Sequence, residues 1–193
     1  MTANHGYPIR VVLPGIAGVR WVKWLDRITV QDRESPNFYQ QRDYKILPPD
    51  VVDHSMAEKH WERTPPMYEM PINSVIGVPA DDETISLPPS GVVDVRGYAV
   101  PQGADGPIIR VEVSGDGGDS WVNAELSKQR DEQKWCWVLW TAKIKMRPGT
   151  GKEIISCATD AAGNTQQDHS QWNLRGIGYS GYGRARNLTA LGC

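Results

Sequence analysis

Between Gly91 and Val100 apolar and polar positions alternate: Val93, Val95, Gly97 and Ala99 fall on one face, Asp94, Arg96 and Tyr98 on the other. That is the period of a half-buried strand. From Ile108 to Ser114 the same period sets Ile109, Val111 and Val113 against Arg110, Glu112 and Ser114. The run ends in Asp116-Gly117-Gly118-Asp119, residues that tolerate the positive φ of a tight turn, which predicts a hairpin to Trp121–Leu126. Trp135 to Ile144 reads as a longer apolar strand, Glu153 to Thr159 as another, and Asp160 to Asn164 as the turn that closes a β-meander. Helical period is almost absent.

Short strands separated by Gly, Pro and Asp turns predict a mainly β chain, an antiparallel β-sandwich of immunoglobulin-like type over about residues 72–175. The stretch before it differs. Leu47 to Pro71 holds five prolines and scattered charges without a sustained period, and reads as a Pro-rich linker or wrapping arm. Upstream, residues 5–46 contain two β-like pieces, Ile9–Leu13 and Val22–Val30, too small to enclose a core. They read as the end of a domain that begins elsewhere, with Met1 not a true start. After Arg175 the chain turns glycine-rich and aperiodic, and reads as mobile unless docked on something. The expected division is therefore 1–46, 47–71 and 72–193.

Composition narrows the function classes. At 193 residues with 39% hydrophobic and 23% charged positions and a formal net charge of −2, the chain is globular, too short for a multi-domain machine and not basic enough for a nucleic-acid specialist. The longest apolar run, Val11–Val19, is far short of a membrane span, and no secretory signal is visible. Three cysteines without a CxxC pair argue against a disulfide framework or a cysteine zinc site; Cys136 and Cys157 lie in apolar runs and read as buried thiols. Eight Trp stand against one Phe, and the four between Trp121 and Trp140 mark that stretch as core. Nucleotide-binding, HExxH and GxSxG motifs are absent, and His5, His54, His60 and His169 are too scattered for a metal cluster, so no metal ligand and no certain catalytic residue emerges.

Five ordered blocks change the picture: HGYPIRVVLPG from His5, RWVKWL from Arg20, QRDYK from Gln41, DGGDSW from Asp116 and WNLRG from Trp172. In this order they resemble the C-terminal part of the sulfite oxidase family. The resemblance covers the end of a mixed α+β molybdenum-cofactor domain, residues 1–46, and then the immunoglobulin-like dimerisation domain. Eukaryotic nitrate reductases are similar here too, but carry an apolar residue where this chain has Arg175, so the arginine favours the sulfite branch.

The resemblance implies oxygen-atom transfer: sulfite leaves as sulfate at a molybdenum-molybdopterin centre, and the electrons pass to a haem protein such as cytochrome c or to oxygen. It implies cofactor contacts for His5, Arg10, Trp21, Val22 and Lys23, and a sulfite contact for Arg175. It also implies a homodimer, no nucleic-acid or membrane partner, and an intracellular place, mitochondrial or peroxisomal. Trp21 stands where animal members tend to have His. The chemistry is consistent: a phosphate takes a forked guanidinium or a mobile ammonium, and a small oxyanion takes an arginine of fixed geometry. On the residues alone, Arg10 and Lys23 also read as surface charges, His5 as an exposed residue and Arg175 as a structural tie. Gly176 reads as a point of close backbone approach. The family's molybdenum-ligating cysteine has no counterpart in Cys136, Cys157 or Cys193, and no haem segment is present. The alternatives are a non-catalytic dimerisation module and a nitrate reductase fragment.

Overall fold

The computed structural model describes residues 1–128 and 134–192. It divides into two compact units: residues 1–70 with 171–179, and residues 71–170 with 180–193.

Among the described residues the second unit is a sandwich of nine strands: β1 Asn73–Val78, β2 Thr84–Ser86, β3 Val92–Val100, β4 Ile108–Ser114, β5 Val122–Asn123, β6 Glu125–Leu126, β7 Val138–Lys145, β8 Gly149–Asp160 and β9 Gly183–Leu191. One sheet runs β1-β3-β7-β6, the other β2-β9-β8-β4-β5. Pairing is antiparallel except between β2 and β9. The mainly β, antiparallel architecture expected from the sequence is present. The inner faces of both sheets share one core, with Val93, Val95 and Trp140 from the first and Val111, Ile154 and Leu188 from the second.

Strict alternation makes β3 and β7 legible: β7 reads buried and exposed in turn from Val138 to Lys145. At β3, Gly97 pairs with Trp140, and a Cβ there would come within 2.0 Å of the Val75 carbonyl oxygen and 2.3 Å of the Trp140 ring. The glycine makes room for the largest core side chain. In the hairpin after β4, Ser120 N–H and Ser114 Oγ donate to Asp116 Oδ1 at 3.0 and 2.7 Å, while Gly117 and Gly118 take φ of +81° and +98°. After Asn123 the chain changes sheets: β5 pairs with β4, and β6 with β7.

Several expectations are corrected. Ile109 is exposed and Ile108 buried, because a bulge between Ile108 and Arg110 resets the register at the start of β4. Of the tryptophans in 121–140, Trp140 is buried but Trp135 and Trp137 are exposed, and Cys136 between them is an exposed thiol; strand alternation begins only at Val138. Cys157 is buried as expected, and Cys193 lies outside the described residues. Asp160–Asn164 forms its turn, with Ala162 and Asn164 N–H donating to the Asp160 carboxylate. The chain returns only briefly, with Thr165 bridged antiparallel to Thr159 and Gln166 N–H donating to Ala158 O, before a long connection leads to β9. The glycine-rich C-terminal segment is the docked case: it contains β9, hydrogen-bonded between β2 and β8 and burying Ala185, Leu188 and Ala190. Its alternation is hidden by register shifts against β8 and by Asn187 at φ +60°.

The first unit has little regular structure. The pieces Ile9–Leu13 and Val22–Val30 form no strands; they meet in a single antiparallel bridge, Arg10 with Lys23. The proline-rich stretch carries helix α1, His54–Ala57, with Asp53 Oδ1 accepting from Met56 N–H as its cap. It packs Leu47, Val51, Ala57 and Trp61 into a small core of its own, joined by Leu174. Prolines masked that core because four apolar residues at uneven spacing have no period to read.

Candidate functional site

Two clusters in the first unit hold the candidate residues. The first is built around Gly6, at φ +108°, where an added Cβ would sit 3.1 Å from the Cβ atoms of both Arg10 and Lys23. Two backbone bonds flank the Arg10–Lys23 bridge: Val11 N–H to Val22 O at 3.0 Å and Leu25 N–H to Ile9 O at 3.1 Å. Lys23 Nζ donates to Asn4 O at 3.0 Å and Arg10 Nη1 to His5 O at 3.3 Å, so both cations reach the short 3-10 turn Ala3–His5. His5 Nδ1 lies 2.6 Å from Thr2 Oγ1. The Arg10 guanidinium carbon sits 5.9 Å from the centroid of the Trp21 ring, whose Nε1 donates to Ile16 O. Arg10 Nε is buried without a partner. The structure thus brings His5, Arg10, Trp21 and Lys23 together. Val22 joins by its backbone, since its side chain is exposed, its carbonyl accepts from Val11 and its N–H donates to Arg20 O.

The second cluster is made by the WNLRG loop and the QRDYK block. Asn173 closes the loop, with Nδ2 donating to Ile177 O at 2.9 Å and its own carbonyl accepting from Gly176 N–H at 3.0 Å. Gly176 is required for its φ of +61°, not for close approach: nothing lies within 4 Å of an added Cβ. Arg175 is then bound to Asp43 through two bonds, Nε to the Asp43 carbonyl at 3.2 Å and Nη2 to Oδ1. Neither uses Nη1. The partner was missed in the sequence because Asp43 ends a five-residue π-helical turn, Tyr39–Asp43, that no periodicity announces. Around it the block is held in place. Arg42 Nη1 pairs with Glu58 at 2.5 Å, and the buried Lys45 donates to Trp61 O at 2.6 Å. The Arg20 guanidinium lies 5.6 Å from the Tyr44 ring centroid and 5.2 Å from that of Tyr68, while donating to Gln40 Oε1 and Met67 O.

Chemically, the first cluster is a pair of cations with an unused buried N–H beside an indole face, a donor set suited to a phosphate-bearing group. The second is a guanidinium with one edge fixed, suited to a small oxyanion. Among the described residues no group of His, Cys, Asp and Glu is arranged to hold a metal ion.

Comparison with known proteins agrees with the five blocks. Residues 1–39 match the oxidoreductase molybdopterin binding domain and residues 64–186 the Mo-co oxidoreductase dimerisation domain. Sulfite oxidase of Arabidopsis thaliana is 39% identical over 92% of this chain and 46% of its own length; mitochondrial sulfite oxidase of Homo sapiens is 41% identical over 90% and 32%. Nitrate reductase [NADH] 2 of Arabidopsis thaliana is 36% identical over 92% of this chain and 20% of its own length. The crystal structure of the sulfane dehydrogenase SoxCD from Paracoccus pantotrophus covers 98% of this chain and 48% of its own, with TM-score 0.73 and 25% identity. The chain therefore spans less than half the length of these relatives. With the dimerisation domain matched over most of its residues, the chain belongs to the Mo-co oxidoreductase dimerisation domain family.

Proposed function

We propose that this chain is the C-terminal portion of a sulfite oxidase and works as part of a homodimer. Residues 1–46 close one side of a molybdopterin site and residues 72–193 supply the dimerisation domain. The observation that carries the reading is Arg175, whose guanidinium is fixed on one edge by Asp43 while Nη1 is not used by that pair.

The residues of the first cluster fit the cofactor's phosphate end. Arg10 and Lys23 are the two cation types that bind phosphate, one by fork and one as a point charge, and the orphaned Arg10 Nε is a buried donor that an acceptor would satisfy. His5 lies within the same turn, Trp21 backs the guanidinium, and the Val22 backbone sets the spacing between the two segments. When bound, the molybdenum centre supplies the oxygen atom and takes up the two electrons; the protein's part is binding and orientation. Arg175 neutralises sulfite as water is excluded, and Asp43 holds the guanidinium in one orientation, so the anion meets a preset fork. Electrons taken up there would leave to an acceptor such as a haem protein or oxygen. Relatives named as mitochondrial support an intracellular place. The arginine at 175 favours sulfite over nitrate.

In the complete enzyme Arg175→Gln raises KM for sulfite at least tenfold, the loss of about 1.4 kcal/mol of charge-assisted binding. An unchanged KM removes Arg175 from the site. One molybdenum per chain in enzyme purified from its native source supports the cofactor reading; a metal-free protein of 21.5 kDa overturns it.

A further inference from the structure

At one end of the sandwich the two sheets part. Val113 on β4 pairs with Val122 on β5, and residues directly opposite across a strand pair share a face. Val113 is fully buried, so the Val122 side chain faces the space between the sheets, yet it is 40% exposed. From the other sheet Ile144, on β7, and Met146, just after it, are buried beside the same opening. Together they floor a cleft of about 960 Å³ between the β4–β5 turn and the β7–β8 connection. An added Cβ on Gly117 or Gly151, which line it, would meet nothing within 4 Å. A cation stands at its mouth. Lys152 pairs with Leu188 and precedes Ile154 by two positions on β8; both are core residues, so the lysine belongs to the inner face of the five-stranded sheet. It is half-buried, with Cε and Nζ 2.9 and 3.4 Å from where a Cβ on Gly149 would sit. Among the described residues its ammonium has no hydrogen-bond or ionic partner. The acids of the lining are engaged or apart: Asp116 accepts from Ser114 and Ser120, Glu153 pairs with Arg184 and Arg186, and Asp119 is exposed on the β4–β5 turn.

We propose that this cleft binds a small amphipathic anion, an apolar body bearing one carboxylate or sulfonate, with the body against Val113, Val122, Ile144 and Met146 and the head on Lys152. The two halves of the site select the two halves of the ligand. An uncharged apolar molecule would bury the ammonium further without giving it an acceptor, which costs free energy, and a bare inorganic anion would leave the apolar floor in water. The volume lies within the range of small-molecule sites, about 300–1,000 Å³, and an apolar lining with few polar groups is their usual make-up. Arg147, exposed and next to Met146, adds a second positive charge to the rim, whereas Lys143 and Lys145 stand on the outer face of β7. All of these residues belong to the second unit, so the proposal does not rest on the sulfite oxidase reading.

The probe is anilinonaphthalene sulfonate, with phenylnaphthylamine as the same body without the charge, titrated into the full chain by fluorescence. Hydrogen exchange locates the bound dye: the sulfonate slows exchange at residues 115–121 and 146–152. Lys152→Met keeps the length of the stem and removes its charge; it weakens the sulfonate dye by about fivefold or more and leaves the uncharged dye unchanged. Octanoate displaces the sulfonate dye, and inorganic sulfate at the same concentration does not. Should Lys152→Met not fold, Val122→Asp gives a second reading at a half-open edge position, since a carboxylate on the apolar wall weakens both dyes. Absence of protection at those two segments, equal affinity of the sulfonate dye for the wild type and Lys152→Met, or displacement by sulfate overturns the proposal.

Discussion

Residues act here through neighbours that their own sequence context does not reveal. Arg175 is legible from WNLRG, but Asp43, which fixes it, lies 132 positions away and has no pattern of its own. Asp43→Asn in the complete enzyme keeps the shape of the side chain and removes its charge, so it is expected to raise KM for sulfite about three- to tenfold, less than Arg175→Gln, with kcat changing little. Steady-state kinetics of the two variants side by side decide it; equal loss in kcat alone would show that Asp43 does not position the arginine. The cysteines follow burial. Desolvation raises the Cys157 thiol above its ordinary pKa, while Cys136 is exposed. Iodoacetamide at neutral pH should therefore label the Cys136 peptide first and the Cys157 peptide only on unfolding, as read by peptide mass spectrometry. Asp116 gives the pH dependence. Hydrogen bonds from Ser120 and Ser114 lower its carboxyl to about 2 from 3.8, so the ionised form stabilises the β4–β5 turn at pH above about 4, and the contribution is lost as pH falls from there toward 2. Denaturant midpoints measured between pH 5 and 2 should fall less steeply for Asp116→Asn than for the wild type.

Elements were legible where alternation is unbroken and lost where the register shifts. β3 and β7 keep period 2 along their length and read correctly, with Gly97 set opposite Trp140. The start of β4 reads one residue out because a bulge moves Ile109 to the surface, and β9 escapes notice because its buried apolar residues, Ala185, Leu188 and Ala190, are unevenly spaced around Asn187. The crossover from Thr165 to Tyr182 has no period at all. It is pinned by Gln166, whose Oε1 accepts from Ser74 Oγ and Ala158 N–H and whose Nε2 donates to Gly181 O, a polar network invisible in composition. A central strand cannot be optional: Leu188→Ala should cost the sandwich about 2–5 kcal/mol, and removal of residues 183–192 should leave it unfolded. Gly97→Ala is expected to be comparably severe, since neither the Val75 carbonyl nor the Trp140 ring can yield 1 Å without moving a strand. Thermal unfolding followed by strand ellipticity tests all three; a deletion variant with a wild-type transition would mean that β9 is not part of the cooperative unit.

At the scale of the whole molecule, the two units hold their structure by different means. The sandwich has a continuous core drawn from both sheets, whereas the first unit buries four apolar residues around Leu47 and leaves Ile28 and Val30 75% and 93% exposed. Its candidate phosphate-binding residues stand on segments joined by one β-bridge and a few backbone bonds. Local opening there should take far less free energy than unfolding the sandwich. Hydrogen exchange on the full chain should show the amides of 9–38 exchanging within about seconds and those of β3, β7 and β8 protected for hours or longer. A ligand that binds only the closed form stabilises it by mass action. Inorganic pyrophosphate, a phosphate-bearing probe for Arg10 and Lys23, should therefore slow exchange at residues 5–25 and leave the sandwich unchanged. Equal protection of both units without ligand would mean that the first is already rigid and its cations preset; slowing confined to the sandwich would place the anion site elsewhere and remove the Arg10–Lys23 pair from the cofactor reading.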